Sequence, residues 1–343
     1  MVIVIMVCAL LVASPAWADM AIDKQTYTYK TVENCEIQAD VHRLSDNAIQ
    51  PVILWLHGGA LIFGQRGDII PEQLSMYLNA GYTVVSIDHR LAPETKIQGI
   101  IEDVQDAYKW IREEGSELFK IDPDRVAVIG HSAGGYLALM AGFSVEPHPR
   151  ALVSFYGYGD IVGDWYTSPS AFYRNNYQII SKQAAYNAVG EEVISNDMGQ
   201  DNRMLFYLYC RQQGLWPKEV TGHDPNAEPG VLDLFCPIRN VTTEYPPTLL
   251  LHGDADTDVP YEQSVMMVDE LKQVGVEHEL ITISSGGHLF DEVGIEDPTV
   301  ASAFEKVLEF LEQTTQQWQP TNVSRQDILP TKWGERKSKS SIR

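Results

Sequence analysis

The sequence predicts an α/β fold: a mostly parallel central sheet flanked by helices and carrying a helical cap insertion. Three observations carry this. Short apolar runs rich in β-branched residues recur at 52–56, 83–87, 126–129, 151–155, 248–251 and 279–283. Helix-compatible stretches separate most of them, and such alternation implies parallel strands covered on both faces. One interval, residues 158–245, breaks the alternation and is too long for a structureless loop inside a domain.

Taken in order, residues 27–30 and 36–44 alternate as an opening antiparallel pair. The strand at 52–56 begins the parallel region, followed by a helix at 71–80 and a strand at 83–87. The helix at 99–114 places Ile100, Val104, Ala107, Tyr108 and Ile111 on one face. After the strand at 126–129 comes a small-residue helix at 135–142, then the strand at 151–155. Beyond the insertion, strands at 248–251 and 279–283 alternate with helices at 261–274 and 298–314. The insertion contains Trp165, Tyr166, Phe172, Tyr173, Phe206, Tyr207, Tyr209 and Trp216 among Asn and Gln. It is expected to roof a pocket, although any single one of these aromatics reads first as part of the cap's own core. No internal repeat is evident.

The chemistry centres on Gly130-His131-Ser132-Ala133-Gly134, a G-x-S-x-G between strand and helix. In that context the chain turns so sharply that the serine hydroxyl stands clear, and a Cβ at either glycine would clash. A serine hydroxyl needs a base, an orienting acid and an oxyanion site. His288, in a Gly-Gly setting after a strand, is the expected base toward Ser132 and later the acid toward the leaving alcohol. Asp254, Asp256 and Asp258 compete to hold its other nitrogen. Asp256 is chosen because it lies three residues past the strand-ending Gly253. Asp254 is read as capping the turn and Asp258 as capping the helix near Tyr261. His57-Gly58-Gly59-Ala60 follows its strand at once, so the N–H groups of Gly59, Ala60 and Ala133 are the expected oxyanion donors. His57 and His252 are read as orienting loops, and Asp88 as holding the Arg90 loop.

With these pieces in place the chain resembles the α/β-hydrolase superfamily, nearest its hormone-sensitive-lipase-like and acetyl-esterase group. The matching segments are His57-Gly58-Gly59-Ala60, Asp88-His89-Arg90-Leu91-Ala92-Pro93-Glu94, Gly130 to Gly135, His252-Gly253-Asp254-Ala255-Asp256 and Gly287-His288. The resemblance implies Ser132, Asp256 and His288 as the triad, Gly59, Ala60 and Ala133 as the oxyanion hole, and no cofactor. Two positions depart from it: Ala60 replaces the last glycine of His-Gly-Gly-Gly, and His89 replaces a tyrosine. Ala60 keeps its N–H but adds a methyl, and that form also occurs in feruloyl-esterase-like and arylformamidase-like relatives.

The leading expectation is therefore hydrolysis of carboxylic esters, with short acyl groups preferred. A prolyl-oligopeptidase-like peptidase shares the triad order, but 343 residues leave no room for its large extra domain. A non-catalytic binding protein on this fold often lacks the histidine that His288 supplies. A formal charge of −22 serves first for solubility, and as a field it repels nucleic acid and favours neutral or cationic small-molecule substrates. Residues 1–18 carry no charge but for the terminus, run apolar from Val2 to Ala13 and end in Ala16-Trp17-Ala18. They read as a cleaved signal peptide, hence a secreted or periplasmic protein with no stable membrane insertion after cleavage, with an uncleaved anchor as the alternative. The expected organisation is then one domain over 19–317, its cap at about 158–245, and a polar tail at 318–343. Export leaves Cys35, Cys210 and Cys236, of which Cys210 and Cys236 are the expected pair for a single bridge, with two buried free thiols as the alternative. No C-x-x-C or histidine cluster suggests a metal.

Overall fold

The computed structural model describes residues 22–315, except 201 and 229. The expected signal peptide and C-terminal tail lie outside the described residues. Eight strands form one sheet in the order β1-β2-β4-β3-β5-β6-β7-β8. They are β1 (Ile22–Val32), β2 (Cys35–Leu44), β3 (Gln50–Leu56), β4 (Thr83–Ile87), β5 (Ile121–His131), β6 (Ala151–Phe155), β7 (Thr248–Gly253) and β8 (His278–Ile283). Strand β2 runs antiparallel to β1 and β4, and every other pairing is parallel.

The helices are α1 (Pro71–Asn79), α2 (Ile97–Phe119), α3 (Ala133–Ser144), α4 (Asp164–Thr167), α5 (Ala171–Asn176), α6 (Lys182–Tyr186), α7 (Arg203–Gln213), α8 (Trp216–Thr221), α9 (Glu262–Val274) and α10 (Pro298–Thr315). Because successive strand side chains point to opposite faces, the central strands feed two cores. Val52, Leu54 and Leu56 pack with residues of α2 and α3, whereas Ile53 and Trp55 pack with α1 and α10. Full burial of β3 on both faces explains why its sequence reads as an unbroken apolar run.

Helices α4 to α8 occupy the interval between β6 and β7. A buried ion pair clamps this insertion to the body. Arg203 on α7 makes two bonds to Glu94, 2.8 and 2.7 Å, and donates to the carbonyls of Ile62 and Ala92, both at 2.6 Å. Trp216 Nε1 donates to the Ala60 carbonyl at 2.9 Å. The insertion is thus tied directly to the loop after β3.

Two expectations need correcting here. Cys210 and Cys236 are buried free thiols with no bridge between them, so burial is their role, and it pushes the Cys236 thiol up to about 12. Asp88 does not hold Arg90: it accepts from the Arg66 backbone at 2.8 Å, pairs with the Arg66 guanidinium and takes Asn196 at 3.1 Å. Arg90 instead forks onto Asp103 of α2.

Candidate active site

The chain turns back at β3: its connection leads to β4 on one side, and β5 then enters on the other. The loops leaving β3 and β5 therefore diverge, opening a crevice beyond the strand C-termini where open α/β sheets bind ligands. Ser132 stands there with φ 54° and ψ −115°, between β5 and α3. Few non-glycine residues adopt such a backbone, and close packing on both sides holds it. A Cβ on Gly130 would lie 2.1 Å from the Gly134 carbonyl oxygen, and one on Gly134 would lie 2.1 Å from that of Leu56. The glycines are required because strand, turn and helix touch backbone to backbone.

The structure brings Ser132, Asp256 and His288 into one relay. His288 Nε2 is 3.0 Å from Ser132 Oγ, and its Nδ1 is 2.7 Å from Asp256 Oδ2. The Asp256 side chain is fully buried, and its Oδ1 accepts the N–H groups of Asp258 at 2.8 Å and Val259 at 3.0 Å. Burial alone would raise its pKa, but hydrogen bonds from His252 and His288 outweigh that and hold it well below the usual carboxylate range. Burial opposes charge on His288 too. The hydrogen bond to Asp256 and the nearby charges of Asp258, Asp256 and Asp291 nonetheless raise its pKa above the ordinary value.

Gly59 and Ala60 both have positive φ, 100° and 54°. At Gly59 a Cβ would lie 2.0 Å from the Phe63 carbonyl oxygen, so this loop closes too tightly for any side chain there. Its Ile62 and Phe63 N–H groups return to the Gly59 carbonyl at 2.8 and 3.0 Å. Behind it His57 and His89 stack with ring centroids 4.2 Å apart, and burial pulls them down to about 4 and about 3. Burial thus favours their neutral forms, and each Nδ1 meets a backbone carbonyl, that of Gly58 at 2.7 Å and of Arg90 at 3.0 Å. Ala133 opens α3, where the first N–H groups have no partner within the helix.

Gly59, Ala60, Ser132 and His288 line a cavity of about 520 Å³, walled by Trp55, Phe63, Phe172 and several tyrosines. A hollow of similar size near Arg112, His148 and Glu277 lies elsewhere and contains none of these groups.

Of the competing aspartates, Asp254 accepts the Ser285 N–H at 2.6 Å and so braces the loop after β8. The reading of Asp258 as a helix cap is corrected. Helix α9 starts at Glu262 with no side-chain cap, and Asp258 faces the cavity, 3.7 Å from His288 Nε2. Tyr207 and Arg211 of α7 draw it there; both are far away in sequence. His252 also does more than orient a loop: its Nε2 lies 3.2 Å from Asp256 Oδ2 and its Nδ1 2.7 Å from Ser264 Oγ.

Asp291 escaped the sequence reading, although it follows His288 by only three residues. It is buried and accepts Tyr156 Oη at 2.8 Å and Gln73 Nε2 at 2.5 Å, with His131 Nε2 at 3.2 Å. Tyr156 in turn packs edge-on against the His288 ring, centroids 4.7 Å apart. Asp291 thereby pins the His288 loop to α1, β6 and the serine turn. Asp291→Ala is expected to lose about 3 kcal/mol of stability, since buried Tyr156 and Gln73 lose their acceptor and His131 loses its carboxylate neighbour. Urea unfolding checks this, and Asp291→Asn should lose less because it keeps one acceptor oxygen; equal stability of Asp291→Ala and the unsubstituted protein would contradict it.

Comparison with known proteins agrees with this architecture. A non-reducing polyketide synthase of Penicillium brasilianum is 26% identical over 320 residues, covering 79% of this chain and 13% of the synthase. The chain spans only 13–15% of the length of the first such curated relatives. Among solved structures, an α/β-hydrolase superfamily protein from Enterococcus faecalis aligns with TM-score 0.66 at 23% identity, over 84% of this chain and 98% of that one. A bacterial heroin esterase aligns with TM-score 0.65 at 21% identity, over 88% of this chain and 87% of its own. The BD-FAE family model matches residues 40–271, more than half of the chain. Fold and match together make this chain a member of the BD-FAE family, with the α/β-hydrolase fold.

Proposed function

We propose that the protein hydrolyses carboxylic esters through an acyl-enzyme on Ser132. The observation that carries this is the relay of 2.7 and 3.0 Å from Asp256 through His288 to a serine on a strained turn. His288 takes the Ser132 proton as the hydroxyl attacks the ester carbonyl, then returns it to the leaving alcohol. Water, activated by the same histidine, releases the acid and restores the serine. Asp256 fixes the ring and stabilises the imidazolium. The N–H groups of Gly59, Ala60 and Ala133 receive the tetrahedral oxyanion, each such donor being worth about 3–4 kcal/mol. The esterase named among the structural neighbours fits this reading. Export of the protein is part of the proposal and rests on the apolar 2–13 run and Ala16-Trp17-Ala18.

The pocket argues for short acyl groups. Phe172, Tyr173, Tyr177 and Tyr207 of the insertion line the same cavity as Ser132, and its volume of about 520 Å³ limits the space for a chain. Acyl groups of about two to six carbons are expected to give the highest kcat/KM. The p-nitrophenyl esters of acetate, butyrate, octanoate and palmitate test this, and a maximum at octanoate or palmitate would contradict it. A second reading, feruloyl-type esters, draws support from the aromatic walls Phe63, Phe172 and Tyr177. Methyl ferulate in the same assay separates the two.

The pH profile offers an independent check. His288 must be neutral to accept the serine proton, and its pKa lies above the ordinary 6.5. Falling pH therefore protonates it early, and the acid limb of kcat/KM is expected to have its midpoint above 6.5. The groups responsible are Asp256 and Asp258 after β7 and Asp291 after β8. A midpoint below 6.5 would show that burial prevails over these carboxylates.

A further inference from the structure

Asp258 is a charged group in the cavity that the relay leaves unused. One oxygen, Oδ1, accepts Tyr207 Oη at 2.5 Å and lies 3.7 Å from Arg211 Nη2. Arg211 is itself fixed: it donates to the Asp258 carbonyl at 2.8 Å and stacks 4.7 Å over Tyr166 and 5.2 Å over Trp165 and Tyr173. The other oxygen, Oδ2, stands 3.7 Å from His288 Nε2, too far for a hydrogen bond. The insertion therefore holds a carboxylate beside the atom that delivers a proton to the departing alcohol.

That position identifies the part of a substrate it meets. With the ester carbonyl at the oxyanion N–H groups, the leaving oxygen must come within hydrogen-bond reach of Nε2. The first few atoms of the alcohol then pass Asp258. Among the described residues the rest of the cavity lining contains Asp68 and Glu292 but no lysine or arginine. Phe172 and Tyr177 add aromatic rings to the lining, side chains of the kind that attract a cation.

We infer that the site selects esters whose alcohol carries a cationic nitrogen about two carbons from the ester oxygen, with Asp258 as the selecting residue. This rests on the ester-hydrolase reading above. The expected preference is about tenfold, because Arg211 offsets part of the carboxylate charge and the cavity is open to solvent.

The test compares kcat/KM for 2-(trimethylammonio)ethyl butyrate and its neutral isostere 3,3-dimethylbutyl butyrate. Taking the ratio within each enzyme cancels any loss common to both substrates. The unsubstituted protein should favour the cationic ester about tenfold at low salt, and 0.5 M NaCl should shrink that ratio. Asp258→Asn should bring it close to one, whereas Glu292→Gln should leave most of it. A ratio of one or less in the unsubstituted protein, or one that survives both Asp258→Asn and salt, overturns the inference. If the neutral ester is still hydrolysed, the ester-hydrolase reading stands. Failure to hydrolyse either ester in a Ser132-dependent manner overturns both.

Discussion

Replacing Ser132 by alanine is expected to remove ester hydrolysis almost completely, a loss of about 10⁶ in kcat, with the fold intact. The hydroxyl is the only atom lost. The turn that presents it is maintained by backbone contacts: Ser132 N–H donates to the Phe155 carbonyl at 2.9 Å, and Gly130 and Gly134 interlock without using the side chain. Alanine adopts the same positive φ at similar cost, so the thermal midpoint should stay close to that of the unsubstituted protein. Steady-state kinetics beside a melting curve separates lost chemistry from lost structure. Substantial turnover by a folded Ser132→Ala protein would move the nucleophile elsewhere.

Asp256→Asn is expected to lower kcat by about 10⁴, and Asp254→Asn to change it little. The difference follows from what each carboxylate touches. Asp256 Oδ1 accepts two backbone N–H groups, so an asparagine would keep its oxygen there and turn its amide toward His288 and His252. That amide is a donor and forces Nδ1 of His288 to accept. The proton then sits on Nε2, facing Ser132, where a base is needed. Asp254 is exposed and only braces the Ser285 N–H. Kinetics on both variants decides the matter, and a larger loss at Asp254 would reassign the acid.

Most of the sheet was legible because its strands are short, apolar and separated by helical periodicity. The expected 83–87 and 151–155 strands coincide with β4 and β6, which are buried throughout. Ends were less legible: β1 begins at Ile22 and β5 extends back to Ile121, through polar residues whose pairing comes from neighbouring strands. In the site, chain order and glycine context brought out Ser132 and His288, since local backbone demands leave a local trace. Asp258 and Asp291 left none. Their partners, Tyr207 and Arg211 for one, Gln73 and Tyr156 for the other, lie 47 to 218 residues away. Asp258 precedes Val259-Pro260 and so imitates a helix cap, although the helix starts two residues beyond that proline. The cysteines show the same limit, because sharing the insertion does not bring two thiols together.

The proposed hydrolysis needs one activated hydroxyl, which a fluorophosphonate tests directly by forming a covalent bond with it. The protein is incubated with the probe at neutral pH, digested, and the labelled peptide located by mass spectrometry. The prediction is a single adduct on Ser132, absent from folded Ser132→Ala and strongly slowed in Asp256→Asn. Labelling of another residue, or no labelling of the folded protein, would contradict it.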